Sequence, residues 1–419
     1  MKISKLLFGI IALQILGASS IYAQNGTMTP YSRYGYGVLS DNASGAQRTM
    51  GGVGYAMNSG RQINVMNPAS YAAVDSMTFL FDMGFDLTNL WQKETVNGSE
   101  LSDHQTGAGL SYITMQFPIG RRMGMSVGLL PYSSVGYAFG SDIDNGSTSR
   151  QGSGSINQLY VGVAGRLFKG LSLGVNVAYM FGSTFNDSYA YTNTGSTTLF
   201  EREFEVADWR VDIGLHYNFN VSPKNRFNLG LVYSPKKDFH GNAITYAYDV
   251  IQESTPIESD KMKLAGNFSM AETWGAGIGW EWDKRLYTEV DFTYQPWSKT
   301  KYQGLMQDTP EAQLNDRYKI AAGAQFTPKL RGNYFESIQY RVGGFYNRDY
   351  LRVMGNDVKE YGATLGFGLP VPSLKTIINV GLEWKHRQAN PNPLIKEDYL
   401  SVTFGFNINE LWFRPSKIY

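Results

Sequence analysis

The chain has 419 residues, with 46 glycines, 28 tyrosines and no cysteine; only 17% of residues are charged and the mean hydropathy is −0.28. The net charge of +1 offers no electrostatic footprint for nucleic acid, and the missing cysteines exclude disulfides, a thioether lipid anchor and thiolate metal sites. Abundant glycine and aromatics with modest hydropathy suit a sheet that is apolar on one face only.

Lys2 and Lys5 precede the apolar run Leu6–Ala18, and Ser20-Ile21-Tyr22-Ala23 ends on a small residue. This is the pattern of a secretory signal peptide, residues 1–23, cleaved after Ala23. No later apolar run is long enough for a membrane helix. A membrane location therefore requires a barrel, because only helices and closed barrels satisfy the backbone in lipid.

Residues 24–75 do not alternate. They carry Tyr31-Ser-Arg-Tyr-Gly-Tyr-Gly, then Gly51-Gly52-Val53-Gly54-Tyr55-Ala56, then Asn67-Pro68-Ala69-Ser70. Glycine permits tight turns and close approach, and proline holds Asn67 in an extended or turn conformation. Such a segment is expected to fold inside a wide barrel as a hatch, or plug.

From residue 76 to 409 the chain alternates with a period of two, the mark of strands with unlike faces. Trp209, Val211, Ile213, Leu215, Tyr217 and Phe219 oppose Asp208, Arg210, Asp212, Gly214, His216 and Asn218. Leu400, Val402, Phe404, Phe406 and Ile408 oppose Tyr399, Ser401, Thr403, Gly405 and Asn407. About fourteen such segments follow one another, starting near Met77, Thr106, Met123, Arg150, Gly170, Phe200, Arg226, Lys261, Arg285, Asp316, Phe335, Asp357, Lys375 and Asp398. Short turns alternate with longer polar stretches, as in a barrel with short periplasmic turns and long outer loops. The expected fold is all-β: a transmembrane antiparallel barrel in the outer membrane of a diderm bacterium, its apolar face on lipid and its polar face lining the lumen. Tyr132, Tyr233, Trp282, Trp297 and Trp384, near strand ends, fit interfacial girdles as a set, with ordinary strand packing the favoured reading of any single one.

Pro131-Tyr132-Ser133-Ser134 interrupts the third strand, and proline removes a ladder donor there. A lateral opening at Pro131, Tyr132 and Ser133 and a plain bulge are both compatible with it. On the lumen parity, Asp208, Arg210, Asp212, His216, Glu289 and Asp291 form the sharpest polar constellation, with Glu383 on a later strand. His216 as a general base oriented by Asp212 is one reading. A charge network bracing the hatch is the other, and the expectation, since buried charges need partners. No metal spacing, nucleophile elbow or phosphate loop occurs, so neither enzyme activity nor cofactor is expected.

Ala46-Gln-Arg-Thr-Met-Gly-Gly-Val-Gly-Tyr-Ala followed by Asn67-Pro68-Ala69 resembles the hatch of the long-chain fatty acid transporter (FadL-like) family of outer-membrane barrels. The resemblance implies fourteen strands, an internal hatch whose motif includes Gly51, Gly52, Asn67, Pro68 and Ala69, and inward passage of hydrophobic small molecules past a kinked third strand. Beyond Ile408 the chain departs from that pattern. It runs on through Trp412-Phe413-Arg414-Pro415 to Tyr419, and this tail, residues 410–419, could dock on another protein. Two functions follow as expectations. One is passive transport of hydrophobic or amphipathic molecules, with an apolar pocket near the hatch. The other is service as a non-catalytic barrel subunit of a larger secretion or protein-assembly machine, with outer-membrane protein partners. Outer-membrane lipid surrounds the protein in either case.

Overall fold

The computed structural model describes residues 28–411 apart from 97, 194–195, 240, 252–256, 264–267, 303–308 and 373–374. The signal peptide, the first hatch residues and tail residues 412–419 lie outside the described residues. The strands are β1 (Val38–Leu39), β2 (Thr78–Val96), β3 (Ser99–Pro118), β4 (Met123–Ser134), β5 (Tyr137–Ile143), β6 (Gly146–Phe168) and β7 (Leu171–Thr192). Next come β8 (Ser196–Ser222), β9 (Asn225–Ser234), β10 (Lys237–Asp238), β11 (Gly241–Ile251), β12 (Ile257–Lys263), β13 (Ser269–Met270) and β14 (Thr273–Trp282). The last are β15 (Leu286–Gln295), β16 (Ala312–Leu314), β17 (Arg317–Phe326), β18 (Gln339–Val353), β19 (Asn356–Pro370), β20 (Ile377–Asn390) and β21 (Ile395–Leu411).

Fourteen of these strands make a closed antiparallel barrel. It runs β2-β3-β4-β6-β7-β8-β9-β14-β15-β17-β18-β19-β20-β21, and β21 returns to β2 from Thr78–Leu411 to Glu94–Ile395. Closure satisfies the wall's backbone groups within the sheet except where β3 and β4 part. The alternation read from the sequence sets the faces. On β8, Trp209, Ile213 and Tyr217 are exposed, whereas Asp208, Asp212 and His216 are buried.

Three details differ from the sequence reading. The polar stretches expected as outer loops are mostly paired hairpins: β2 and β3 continue together to Val96–Ser99, and β6 and β7 to Gly146–Thr192. Both faces of these extensions meet water, so their composition resembles that of a loop while their backbone pairs as a strand. The strand expected near Lys261 is β12, which pairs with β11 in such a hairpin; the barrel strand starts at Thr273. Trp297 and Tyr132 are not girdle residues. Trp297 lies on a 3-10 turn after Pro296 and is fully buried, and Tyr132 is turned inward at a bulge. Trp282 and Trp384 do face outward.

The hatch fills the lumen. It contains a 3-10 turn at Pro30–Arg33, β1, a single helical turn at Gly45–Arg48 and a 3-10 segment at Pro68–Ala73. Near the outer end, Tyr36 enters an aromatic cap. Its ring lies 4.9 Å from Tyr302, 5.5 Å from Trp297, 5.7 Å from Phe204 and 5.9 Å from Phe239. The hydroxyl of Tyr36 donates to the Ser269 carbonyl at 3.2 Å.

Candidate functional site

The hatch motif forms the seat between plug and wall. Gly51 and Gly52 have φ of 72° and 78°, the left-handed region that glycine enters without penalty. This turn carries the Gly51 N–H to the Thr364 hydroxyl on β19, 2.8 Å away. Asn67 is fully buried and extended, as the following proline requires. Its carboxamide accepts from the Ala69 N–H at 3.1 Å and donates to the carbonyls of Tyr55 (2.8 Å) and Leu215 (3.1 Å). Pro68 occupies the first turn, where its missing N–H costs nothing. Pro68 and Ala69 rest directly on the backbone of Gly174 and Gly214, two wall glycines facing inward.

The predicted lumen charges separate into two groups. His216, Glu289 and Asp291 clasp the hatch backbone at Gly54–Ala56. Asp291 Oδ2 accepts the N–H groups of Gly54 (2.7 Å) and Tyr55 (2.9 Å), and Glu289 Oε1 accepts that of Ala56. His216 Nε2 lies 2.7 Å from the Tyr55 carbonyl, which cannot donate, so this nitrogen carries the proton. Asp208, Arg210 and Asp212 sit apart. Arg210 Nε donates to Asp212 at 2.9 Å, its guanidinium lies over the Tyr132 ring at 5.6 Å, and Asp208 pairs with Lys237. His216 therefore takes its partner from the hatch, while the Asp212 carboxylate is held by Arg210 and Ser234.

A further set of lumen charges was not singled out in the sequence. Asp41 of the hatch pairs with Arg317 (3.2 Å) and Lys319 (2.5 Å) on β17. Burial alone would raise the Asp41 carboxyl, but the two cations outweigh it and hold it well below the ordinary carboxylate range. Arg48 pairs with Asp86, and Arg387 with Glu360 and Glu397. All of these wall residues stand on the lumen parity of their strands, which is the signal that could have found them.

The third strand is where the wall changes. β3 and β4 pair from Pro118–Gly124 only as far as Ile113–Leu129. On β3, Ser111 is an extra residue against β2; on β4, Tyr132 is an extra residue against β6. Two bulges bend the two strands apart at the same height. The freed edge of β4 is taken by the hatch: Val38 pairs with Ser134, Leu39 with Ser133, and the Ser40 N–H donates to the Tyr132 carbonyl at 2.8 Å. The outer half of β3 pairs with β2 alone among the described residues. A cavity of about 450 Å³ reaches this slit at Gly107–Ser111 and Pro131, and extends along the wall past Asp86 on β2 and Thr403 on β21 to Glu383 and Lys385 on β20. It is lined mainly by polar and charged groups. The apolar residues near the hatch, where the sequence led us to expect an open pocket, are packed on one another in the aromatic cap.

A closed fourteen-strand barrel with an internal hatch and a lipid-facing apolar band is an outer-membrane β-barrel protein, and this one has the FadL-type fold. Solved structures similar to it include a FadL homologue of Pseudomonas aeruginosa, 11% identical, covering 90% of this chain and 99% of that one, with a TM-score of 0.62. The Pseudomonas putida toluene transporter TodX is 12% identical over 90% of this chain and 99% of its own, with a TM-score of 0.59. The Ralstonia pickettii toluene transporter TbuX is 13% identical over 89% and 99%, with a TM-score of 0.58. Residues 3–419 match the BamG family model, and the chain belongs to the BamG family. No curated protein matches it.

Proposed function

We propose that this protein passively conducts hydrophobic or amphipathic small molecules through the outer membrane, admitting them sideways between β3 and β4. One observation carries the reading. The wall pairing stops at Ile113–Leu129, between two bulges, and the large cavity reaches that point. Molecules dissolved in the outer leaflet then enter without crossing the polar outer surface. Two proteins of the same fold are toluene transporters, which supports passage of small molecules through a barrel of this kind; the polar lining here favours amphipathic ones.

The mouth is lined by small residues. A Cβ added at Gly109 meets nothing within 4 Å, so Gly109→Trp is expected to fold normally while narrowing the slit. Entry of radiolabelled decanoate into cells expressing the full-length protein should fall severalfold in this variant. Equal amounts of folded barrel are verified by heat-modifiable gel migration. Entry that is the same with the wild type, with the variant and with no protein at all would end the transport reading.

A second reading, a non-catalytic subunit of a larger outer-membrane assembly, is favoured by the short-turn end. Phe168, the last residue of β6, and Phe335, in the connection from β17 to β18, are each 72% exposed there. They lie nearly half-way round the barrel from each other, so each would be a separate apolar anchor for a partner. Purification in mild detergent should then recover stoichiometric partners that Phe168→Ser and Phe335→Ser release; a solitary monomer argues against this reading.

A further inference from the structure

The charges lining the large cavity are unevenly committed. Four of its cations, Arg48, Arg317, Lys319 and Arg387, are held in the ion pairs described above. Lys385 has no carboxylate within 4 Å among the described residues; its ammonium rests 4.1 Å above the Tyr399 ring. Glu383, which also lines the cavity, feels Lys385, Arg48 and Lys319 only through space, with no direct ion pair within 4 Å among the described residues. The two are half-buried and stand two positions apart on β20, on the same inward face and roughly 6.5 Å apart along the strand. Glu383 and Lys385 thus face the same space in looser electrostatic contact, Glu383 with Lys385, Arg48 and Lys319 and Lys385 with Glu360 and Glu397, and neither is closed into a direct ion pair among the described residues. The slit, bordered by Leu110 and Pro131, opens on the same space three strands along the wall.

A plain hydrocarbon is a poor occupant of this cavity. It would strip water from both charges and return no hydrogen bond, an uncompensated desolvation. A molecule with an ammonium and an anionic group on one short linker replaces the lost water at both. Building on the lateral-entry reading, we propose that the cavity takes the head of a zwitterionic amphiphile, an amine-bearing phosphodiester. The amine lies at Glu383, the phosphate at Lys385, and the alkyl chain leaves through the slit between β3 and β4. The cavity volume falls in the range of about 300–1,000 Å³ typical of small-molecule sites, room for a head group while the chains stay in the leaflet.

The test uses the full-length protein in dodecyl maltoside, titrated calorimetrically with dihexanoyl phosphatidylethanolamine, dihexanoyl phosphatidylglycerol, free phosphoethanolamine and toluene. The phosphatidylethanolamine is expected to bind saturably and more tightly than the phosphatidylglycerol. E383Q should weaken it at least about tenfold and leave phosphatidylglycerol unchanged, whereas K385Q should weaken both. Phosphoethanolamine binding as tightly as the lipid would assign the same head-group site to a soluble ester instead of a lipid. Equal affinity for the two lipids, indifference to E383Q in a folded variant, or saturable toluene binding unaffected by either substitution overturns the proposal. Gly109→Trp separates this proposal from the entry route. If the lipid binds through Glu383 but Gly109→Trp changes neither binding rate nor cell entry, the head-group site stands and the slit reading fails. If Gly109→Trp blocks entry while E383Q changes nothing, the reverse holds.

Discussion

Replacing Arg387 with alanine is expected to be the most destabilising single change in the barrel wall. The Arg387 side chain is 2% exposed and sits between two buried carboxylates, Glu360 on β19 and Glu397 on β21. Glu397 also accepts from the hydroxyls of Tyr399 (2.6 Å) and Thr29 (2.5 Å), so the start of the hatch is tied to the same centre. An alanine leaves both carboxylates without their cation in a site that water enters poorly. Removing one partner of a buried pair costs about 3–5 kcal/mol. Urea unfolding of the protein in lipid vesicles, followed by tryptophan fluorescence, should show a loss of that size. The double variant Arg387→Met with Glu360→Gln should recover part of it, and adding Glu397→Gln more, because the cost belongs to the stranded charges and not to the absence of the pair. A single-variant loss below about 1 kcal/mol would mean that the centre is wet and the pairing weak, in the range of surface ion pairs.

The barrel was legible because one physical contrast, lipid outside and a filled lumen inside, is written into every strand at a period of two. Strand β8 shows it from Trp209 to Phe219. The same parity marked His216, Glu289 and Asp291 as inward, where they hydrogen-bond the Gly54–Ala56 backbone. Parity says nothing about which inward groups meet across the lumen. Asp212 and His216 are near in sequence yet end on different partners, because the hatch lies over one and Arg210 reaches the other. Nor does it show that Asp41, 278 residues from Lys319 in the chain, closes on it. Tyr132 was misplaced for a related reason. An inserted residue changes which face its side chain takes, and where the insertion falls depends on how β4 meets β6. Trp297 was misplaced because its segment is a turn and has no faces to alternate.

The seat of the hatch supplies the second large effect. Gly230 faces inward on β9, and a Cβ built there would lie 1.7 Å from the Tyr55 carbonyl oxygen and 2.3 Å from its carbon. Those atoms are backbone, held by Asn67 and His216, and cannot step aside as a flexible side chain would. Gly230→Val is therefore expected to lift the Gly54–Ala56 segment off the wall. It would break its hydrogen bonds to Asp291 and Glu289, each bond to a charged acceptor contributing about 1.5–3 kcal/mol. The wall itself keeps its strand pairing, since valine suits a strand and its backbone still donates and accepts. The result should be a folded barrel with an unseated plug: normal heat-modifiable migration, a higher single-channel conductance in planar bilayers, and new protease cleavage within the hatch. Gly109→Val is the matched control, because a Cβ at that glycine meets open space and the plug does not rest on it. If both variants conduct like the wild type, close contact between the wall glycine and the plug is not what seals the lumen. The seal would then lie in the aromatic cap around Tyr36, which neither substitution touches.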